Sequence, residues 1–188
     1  MIRRFEQRPI PADVLDGILD IARRGPSAGF SQGLEFLVLD TPETVAAFWV
    51  ITRDPEFGWD LEDVALGPTA IVLPLPDASR YVERYSQPDK IAFGMDQADH
   101  WPVPFWDVDA AMAAMLVLLT AVDEGLGACF FGIPPERLPA FRAAFGVPDG
   151  FRPVGCVSVG YPGDGDRRSP SLRRGRRSVE EVVHRGSW

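Results

Sequence analysis

With 188 residues, 46% of them apolar and 24% charged, the chain has the make-up of a soluble globular protein, and its length predicts one domain. A net charge of -8 repels phosphodiester backbones and anionic headgroups, so neither nucleic acid nor a membrane surface is an expected partner. Cys129 and Cys156, the two cysteines, lie in apolar strand-like runs, which reads as buried free thiol in a reducing compartment. No basic-then-apolar leader opens the chain, and the expected location is the cytoplasm.

Arg3 and Arg4 come first, ahead of Pro9-Ile10-Pro11. They read either as solvated terminal charge or as phosphate contacts, since guanidinium grips phosphate with a fork of donors. A helix is expected from about Ala12 to Arg24, because Val14, Leu15, Ile18, Leu19 and Ala22 recur at three- and four-residue steps. The turn formers of Gly25 to Gln32 end it. Leu34 to Leu39 reads as a strand, Pro42 to Ile51 as a helix, and Arg53 to Gly67, with Phe57 and Trp59, as irregular. Thr69 to Leu75 reads as a strand whose Pro74 argues for a sheet edge or a strand end. A short helix, Asp77 to Tyr85, leads into a long loop from Gln87 to Trp106; loops of that length are more often functional lids than accidents.

The stretch from Asp107 to Gly132 is the centre of the chain. Ala110 to Val122 is apolar except for Thr120, and it is shorter than the roughly 20 residues a bilayer requires. A helix apolar all round must be buried on every side. So small a chain has little interior that thick, and the expectation is that a second copy covers part of the helix in an obligate homodimer. Asp107 and Asp109 are expected to cap its start, and Gly125 to close it in the left-handed conformation. Gly127 to Gly132 reads as a buried strand whose small residues let a flat ligand approach the backbone. A helix over Pro135 to Phe145 and a strand over Pro153 to Tyr161 follow. Arg167, Arg168, Arg173, Arg174, Arg176 and Arg177 then crowd the tail, which ends in a helical turn over Ser178 to His184. Such a tail is either a solvated end or a cover over a bound phosphate. Helices alternate with strands, so the class is α/β or α+β.

Several motifs fail on context. Gly25-Pro26-Ser27-Ala28-Gly29 fits the G-x-S-x-G pattern of a hydrolase, but a helix leads in and a strand leads out, the reverse of a nucleophile elbow. Gly125-x-Gly127 lacks the third glycine of a dinucleotide fingerprint and follows a helix instead of opening one. No metal site is expected: the two histidines and two cysteines are not at ligand spacing, and Asp96, Asp99 and His100 read as a solvated loop. Trp101, Phe105 and Trp106 read either as core or as the rim around a flat aromatic ligand.

In this order, the pieces resemble the FMN-dependent nitroreductase family over nearly the whole chain. Arg3-Arg4-Phe5 with Pro9-Ile10-Pro11 resembles the second half of the family's opening motif. Pro26-Ser27-Ala28-Gly29-Phe30-Ser31-Gln32 is similar to its Pro-Ser-x-x-Asn-x-Gln loop, with Phe30 in the place of asparagine and Gly33-Leu34 in the place of Pro-Trp. Gly125-Leu126-Gly127 through Gly132 is similar to its flavin-facing segment. Pro153 to Pro162 resembles its last core strand, and Arg174 to Val183 its closing basic motif.

The resemblance implies an α+β fold with a central mixed, largely antiparallel sheet flanked by helices. It implies one nitroreductase-like domain over 1–188, with a C-terminal arm, about 163–188, that wraps the partner of an intertwined homodimer holding FMN at the interface. Electrons would pass from NAD(P)H through FMN to a flat acceptor such as a nitroaromatic or a quinone; the alternative is a catalytically silent FMN-binding or storage protein of the same fold. Carried over by position, Arg3, Arg174 and Arg176 would hold the FMN phosphate, and Pro26, Ser27 and Ala28 would line the ring with Gln32 nearby. Phe131 and Gly132 would approach the isoalloxazine; Trp101, Phe105 and Trp106, in a loop that matches none of the family's motifs, would then shape acceptor access. Flavin performs the hydride transfer itself, so no catalytic acid–base triad is implied. Backbone N–H groups near Ala28 and Gly132 would stabilise charge on the reduced ring.

Overall fold

The computed structural model describes residues 1–52, 67–166 and 169–188. The stretch expected to be irregular, Arg53 to Gly67, lies outside them up to residue 66, as do Arg167 and Arg168.

Four strands, β1 (Leu34–Leu39), β2 (Ala70–Pro76), β3 (Gly127–Phe131) and β4 (Cys156–Gly160), form one sheet in the order β1-β2-β4-β3. Every pairing among the described residues is antiparallel, so the expected mixed sheet is not mixed there. Residues of β2 and β4 are buried throughout, and their side chains alternate between two cores. Ala70, Val72, Val157 and Val159 face one core; Ile71, Leu73, Leu75 and Cys156 face the other. Helix α1 (Ala12–Ala22) and helix α4 (Phe105–Asp123) close the first face, and α2 (Pro42–Thr52) and α5 (Leu138–Phe145) close the second. Two further helices, α3 (Ala78–Tyr85) and α6 (Val179–Val182), complete the set described. Cys129 and Cys156 are buried free thiols.

Pro74 sits inside β2, an interior strand and not the expected edge. The pairing lengths explain how it is tolerated. β4 pairs with β2 only from Ala70 to Val72, whereas β1 runs beside it as far as Pro76. Beyond Val72 one side of β2 carries no ladder, and a residue without an N–H is acceptable there.

Helix α4 is longer than its apolar core suggests, because Pro104 starts it and Phe105 and Trp106 join its first turn. Its nineteen residues contain an 18-residue window of mean hydropathy 1.7, long and apolar enough by length and composition alone to cross a membrane, a test that the core helix of a soluble protein also passes. Ala110, Ala113, Ala114, Val117 and Ala121 are buried, most of them in the core shared with α1 and the sheet. The opposite stripe is bare. Met115, Leu119 and Val122, spaced four and three apart on one face, are 52%, 60% and 66% exposed, so one chain does not bury this helix on every side. Gly125 closes the helix at φ +73°, and Leu126 N–H reaches back to Ala121 O at 2.7 Å, a Schellman turn that aims the chain into β3. Neither aspartate caps the helix start. Asp107 pairs with Arg152, and Asp109 faces a different element altogether.

Both ends of the chain bear on the site. Ile2 N–H donates to Ala128 O and Glu6 N–H to Tyr161 O, both at 2.9 Å, so the first residues run along β3 and fix Arg3 beside it. Gly127 and Gly160 permit this approach, since a Cβ on either would fall 2.9 Å from Ile2 or Phe5. At the other end, 169–188 is exposed almost throughout, although α6 has a complete capping box between Ser178 and Glu181.

Candidate functional site

The loop after α1 adopts an unusual backbone. Gly29 (φ +60°), Phe30 (φ +56°) and Gln32 (φ +50°) are all left-handed. For the two residues with side chains this costs on the order of 1 kcal/mol or more each. Such a loop persists only if its surroundings over-determine it, and here they do. Ala28 N–H donates to Asp109 Oδ2 at 2.8 Å, Ser31 Oγ donates to Ala28 O at 2.6 Å, and Gln32 N–H donates to Ser27 Oγ at 2.9 Å. From α3, Arg84 Nε donates to Gly29 O at 2.9 Å. Tyr85 lies so close over Gly29 that an added Cβ would come within 2.5 Å of its ring.

Asp109 is the anchor. It is 3% exposed, and the same carboxylate oxygen also accepts Tyr81 O–H at 2.8 Å. Tyr81 is itself fully buried. Burial, reinforced by the Asp109 carboxylate, pushes its phenol pKa well above the usual tyrosine range, while a hydrogen bond from Ser27 works the other way. The result is two braces on one loop: Asp109 holds Tyr81 O–H and Ala28 N–H together, and Ser27 Oγ accepts Gln32 N–H across the turn. Ser27 is thereby committed to a brace. No imidazole partners it, and His100 Nδ1 instead lies 3.0 Å from Gly94 O, so the hydrolase motif has no base. Beside the loop lies a cavity of about 450 Å³, walled by Pro26, Ser27, Phe30, Gln32, Tyr81 and Asp109 among others.

The long loop from Gln87 is not an open lid. Trp101 is 7% exposed, donates Nε1–H to Met95 O at 2.9 Å, and packs on Tyr81 and Tyr85 with ring centroids 5.9 and 4.6 Å away. Trp106 is half-buried against Tyr81, and Phe105 is the one expected rim residue that remains exposed. Of the two readings of these aromatics, core describes Trp101. Arg84 grips Asp89 through two hydrogen bonds, at 2.8 and 2.7 Å, and holds the Asp89 carboxyl down to about 2. The same guanidinium therefore ties this loop to Gly29.

The other expected site residues lie elsewhere in the chain. Phe131 is stacked on Trp49 with centroids 5.2 Å apart and belongs to the second core. A Cβ on Gly132 would meet nothing within 4 Å, so neither backbone conformation nor packing within the chain requires glycine there. Arg3 lies near enough to Cys129 for its charge to oppose the rise in that thiol's pKa caused by burial. Arg174 and Arg176 stand on the exposed tail. The cavity thus gathers Pro26, Ser27 and Gln32, with Ala28 anchored beside them, but its described walls include none of Arg3, Phe131, Gly132, Arg174 and Arg176. Among the described residues, no three His, Cys, Asp or Glu side chains are grouped as metal ligands.

The family profile for the nitroreductases matches residues 1–161. The chain belongs to the nitroreductase family. Two archaeal relatives carry the provisional name NADH dehydrogenase/NAD(P)H nitroreductase. The one from Archaeoglobus fulgidus is 27% identical over 189 residues, spanning 100% of this chain and 92% of its own length. That from Methanothermobacter thermautotrophicus is 28% identical over 168 residues, 87% of this chain and 73% of its own. Among solved structures, an FMN-dependent nitroreductase from Clostridium difficile superposes with a TM-score of 0.68 at 18% identity, covering 100% of this chain and 94% of its own. A nitroreductase-like protein from Streptococcus mutans reaches 0.74 at 16%, covering 97% and 91%. Membership in this family places the chain among the oxidoreductases.

The residues present fit a flavin mononucleotide in their chemistry. Its phosphate needs cationic donors, and among the described residues no ion pair engages Arg3, Arg174 or Arg176. Its ring needs a backbone that can be approached closely, which the open space at Gly132 allows. Sequence reasoning missed the nitroreductase brace itself, Asp109, Tyr81 and Arg84. The available signal was a lone carboxylate at the edge of an apolar helix run, a group that must find donors if it is buried.

Proposed function

We propose that this nitroreductase is a cytoplasmic homodimer that passes electrons from NAD(P)H through FMN to a flat acceptor such as a nitroaromatic or a quinone. The observation that carries the reading is the division of the family's site residues within one chain. A braced cavity wall lies at Ser27, while Arg3, Arg174, Arg176 and the open Gly132 are not among its lining residues. A second copy seated on the bare stripe of α4, with the arm 163–188 wrapped around it, would make two such cavities, each completed by residues of the other chain. FMN, when bound, supplies the hydride chemistry. The protein positions it: Arg3, Arg174 and Arg176 take the phosphate, the Pro26–Ala28 loop presents a fixed wall, and the Gly132 backbone lies open to the ring. No side chain is assigned as a catalytic acid or base.

The freshly purified protein is expected to be yellow, to bleach anaerobically on addition of NAD(P)H, and to regain colour with a quinone. Yellow protein that stays oxidised under NAD(P)H would instead identify a flavin store, and colourless protein that takes up no added FMN would end the proposal. Arg174→Ala and Arg176→Ala should each weaken FMN binding about tenfold, because each removes a charge-assisted contact. Titration of the apoprotein by quenching of flavin fluorescence measures this, and the loss should shrink as salt is raised.

A further inference from the structure

Phe30 combines two unfavourable features. Its backbone is left-handed at φ +56°, and its ring is 74% exposed although aromatic side chains gain most from burial. An exposed phenylalanine on a slack loop would mean little, but this loop is not slack. Phe30 N–H donates to Ser27 O at 2.8 Å, and the preceding carbonyl, Gly29 O, is held by Arg84 Nε at 2.9 Å. The following residue donates from its N–H to Ala28 O at 3.1 Å, and Gln32 N–H is held by Ser27 Oγ. The backbone cannot rotate to tuck the ring away without breaking these bonds. The side chain therefore leaves the loop at the wall of the 450 Å³ cavity, which Pro26, Ser27 and Tyr81 also line. Two other exposed aromatics, Phe93 in the loop after α3 and Phe105 at the start of α4, are not part of that wall.

We infer that Phe30 is the specificity-determining residue of this site, an aromatic plate carried on a pinned backbone that stacks on one face of a flat aromatic ring system. The inference rests on the FMN-dependent reading above and names what that cavity selects. The ring belongs either to the flavin or to the electron acceptor. A loop backbone already held in place has little ordering left to lose on binding, and an aromatic side chain has only two torsions to fix, so most of the contact enters affinity. Ser27 and Gln32 border the wall, with Arg23 and Arg24 at the end of α1 also lining it, which suits a flat ring that carries polar edge atoms better than a bulky aliphatic ligand.

The test uses the full chain with Phe30→Leu, which keeps apolar bulk but loses the flat face, and Phe30→Tyr, which restores it. Three quantities are measured: the FMN dissociation constant, KM for a naphthoquinone, and turnover with ferricyanide, an acceptor with no ring to stack. Phe30→Leu is expected to raise one of the first two about tenfold and to lower ferricyanide turnover at saturating FMN by a smaller factor. A rise in the FMN constant assigns the ring to the flavin; a rise in quinone KM alone assigns it to the acceptor. Phe30→Tyr should stay within twofold of wild type in both. As a check on backbone strain, Phe30→Gly should unfold at a temperature no lower than wild type. The inference is overturned if Phe30→Leu leaves both constants within twofold, or if it converts a dimer to monomers, which would make Phe30 a subunit contact. Wild-type protein that binds no FMN would defeat the underlying reading, and this inference with it; that outcome is visible before any variant is made.

Discussion

Asp109→Ala is expected to lower the unfolding free energy by about 3 kcal/mol and to weaken FMN binding by more than Arg174→Ala does. One carboxylate oxygen satisfies both Ala28 N–H and Tyr81 O–H in a dry interior. Alanine strands both donors, at roughly 1–3 kcal/mol each, and relief of the buried charge offsets only part of that. In a chain of this size each kcal/mol moves the midpoint by about 2–4 °C, so a fall of about 10 °C in a thermal scan is expected. Freed of its anchor, the strained loop from Ser27 to Gln32 should relax toward ordinary backbone, and FMN titration should show the wall lost even at temperatures where the protein is folded. Tyr81→Phe removes only one of the two donors and should cost less. The double variant should fall short of the sum, because both changes act on one oxygen. Alkaline titration provides a second check. The folded Tyr81 phenol ionises above its unfolded value of 10, so its contribution is whole below pH 10 and is lost as pH rises toward the folded value. Tyr81→Phe should lack that part of the alkaline slope. A wild-type midpoint in the Asp109→Ala protein, with unchanged FMN affinity, would show that the brace has no such role.

What could be seen in the sequence and what could not divides along distance in the chain. Strand β1 and helix α3 declare themselves locally, by an apolar run and by the Asp77 cap that accepts from Ser79 N–H. Pro74 misleads because edge or interior depends on where β4 stops pairing, and β4 begins 82 positions after it. Asp109 reads as a helix cap only if the helix begins near it. Pro104 starts the helix earlier, and the group that Asp109 serves lies 81 residues away. Trp101 resembles a rim residue within its proline-rich loop, but the two tyrosines that bury it come from α3. The motif Pro26-Ser27-x-x-x-x-Gln32 marks the place of the loop. Its left-handed conformation and the position of Phe30 were not legible, because they are imposed from outside by Asp109, Arg84 and Tyr85.

Leu119→Glu is expected to convert a dimer into folded monomers that do not retain FMN. Leu119 lies in the middle of the bare stripe of α4, between Met115 and Val122, and 60% of it faces solvent. It adds little to its own chain's core, so the far-ultraviolet spectrum and the monomer's fold should survive the change. Three such side chains form a patch of a few hundred Å² at most, whereas a stable pairing buries about 800 Å² on each partner. The exposed Val179, Val182 and Val183 of the arm supply further apolar surface of the kind such a seam requires. A two-fold interface is self-complementary, so one substitution places a glutamate in the seam from each side. Burying an unpaired carboxylate costs several kcal/mol, enough to overcome a micromolar association outright. FMN retention should fall together with the mass seen in sedimentation, because among the described residues the wall of the cavity at Ser27 includes neither Gly132 nor Arg174. If the glutamate variant sediments as a dimer and keeps its flavin, the seam is not on α4. If it sediments as a monomer and keeps its flavin, one chain holds the cofactor by itself, and the two-chain site is wrong while the fold and the family stand.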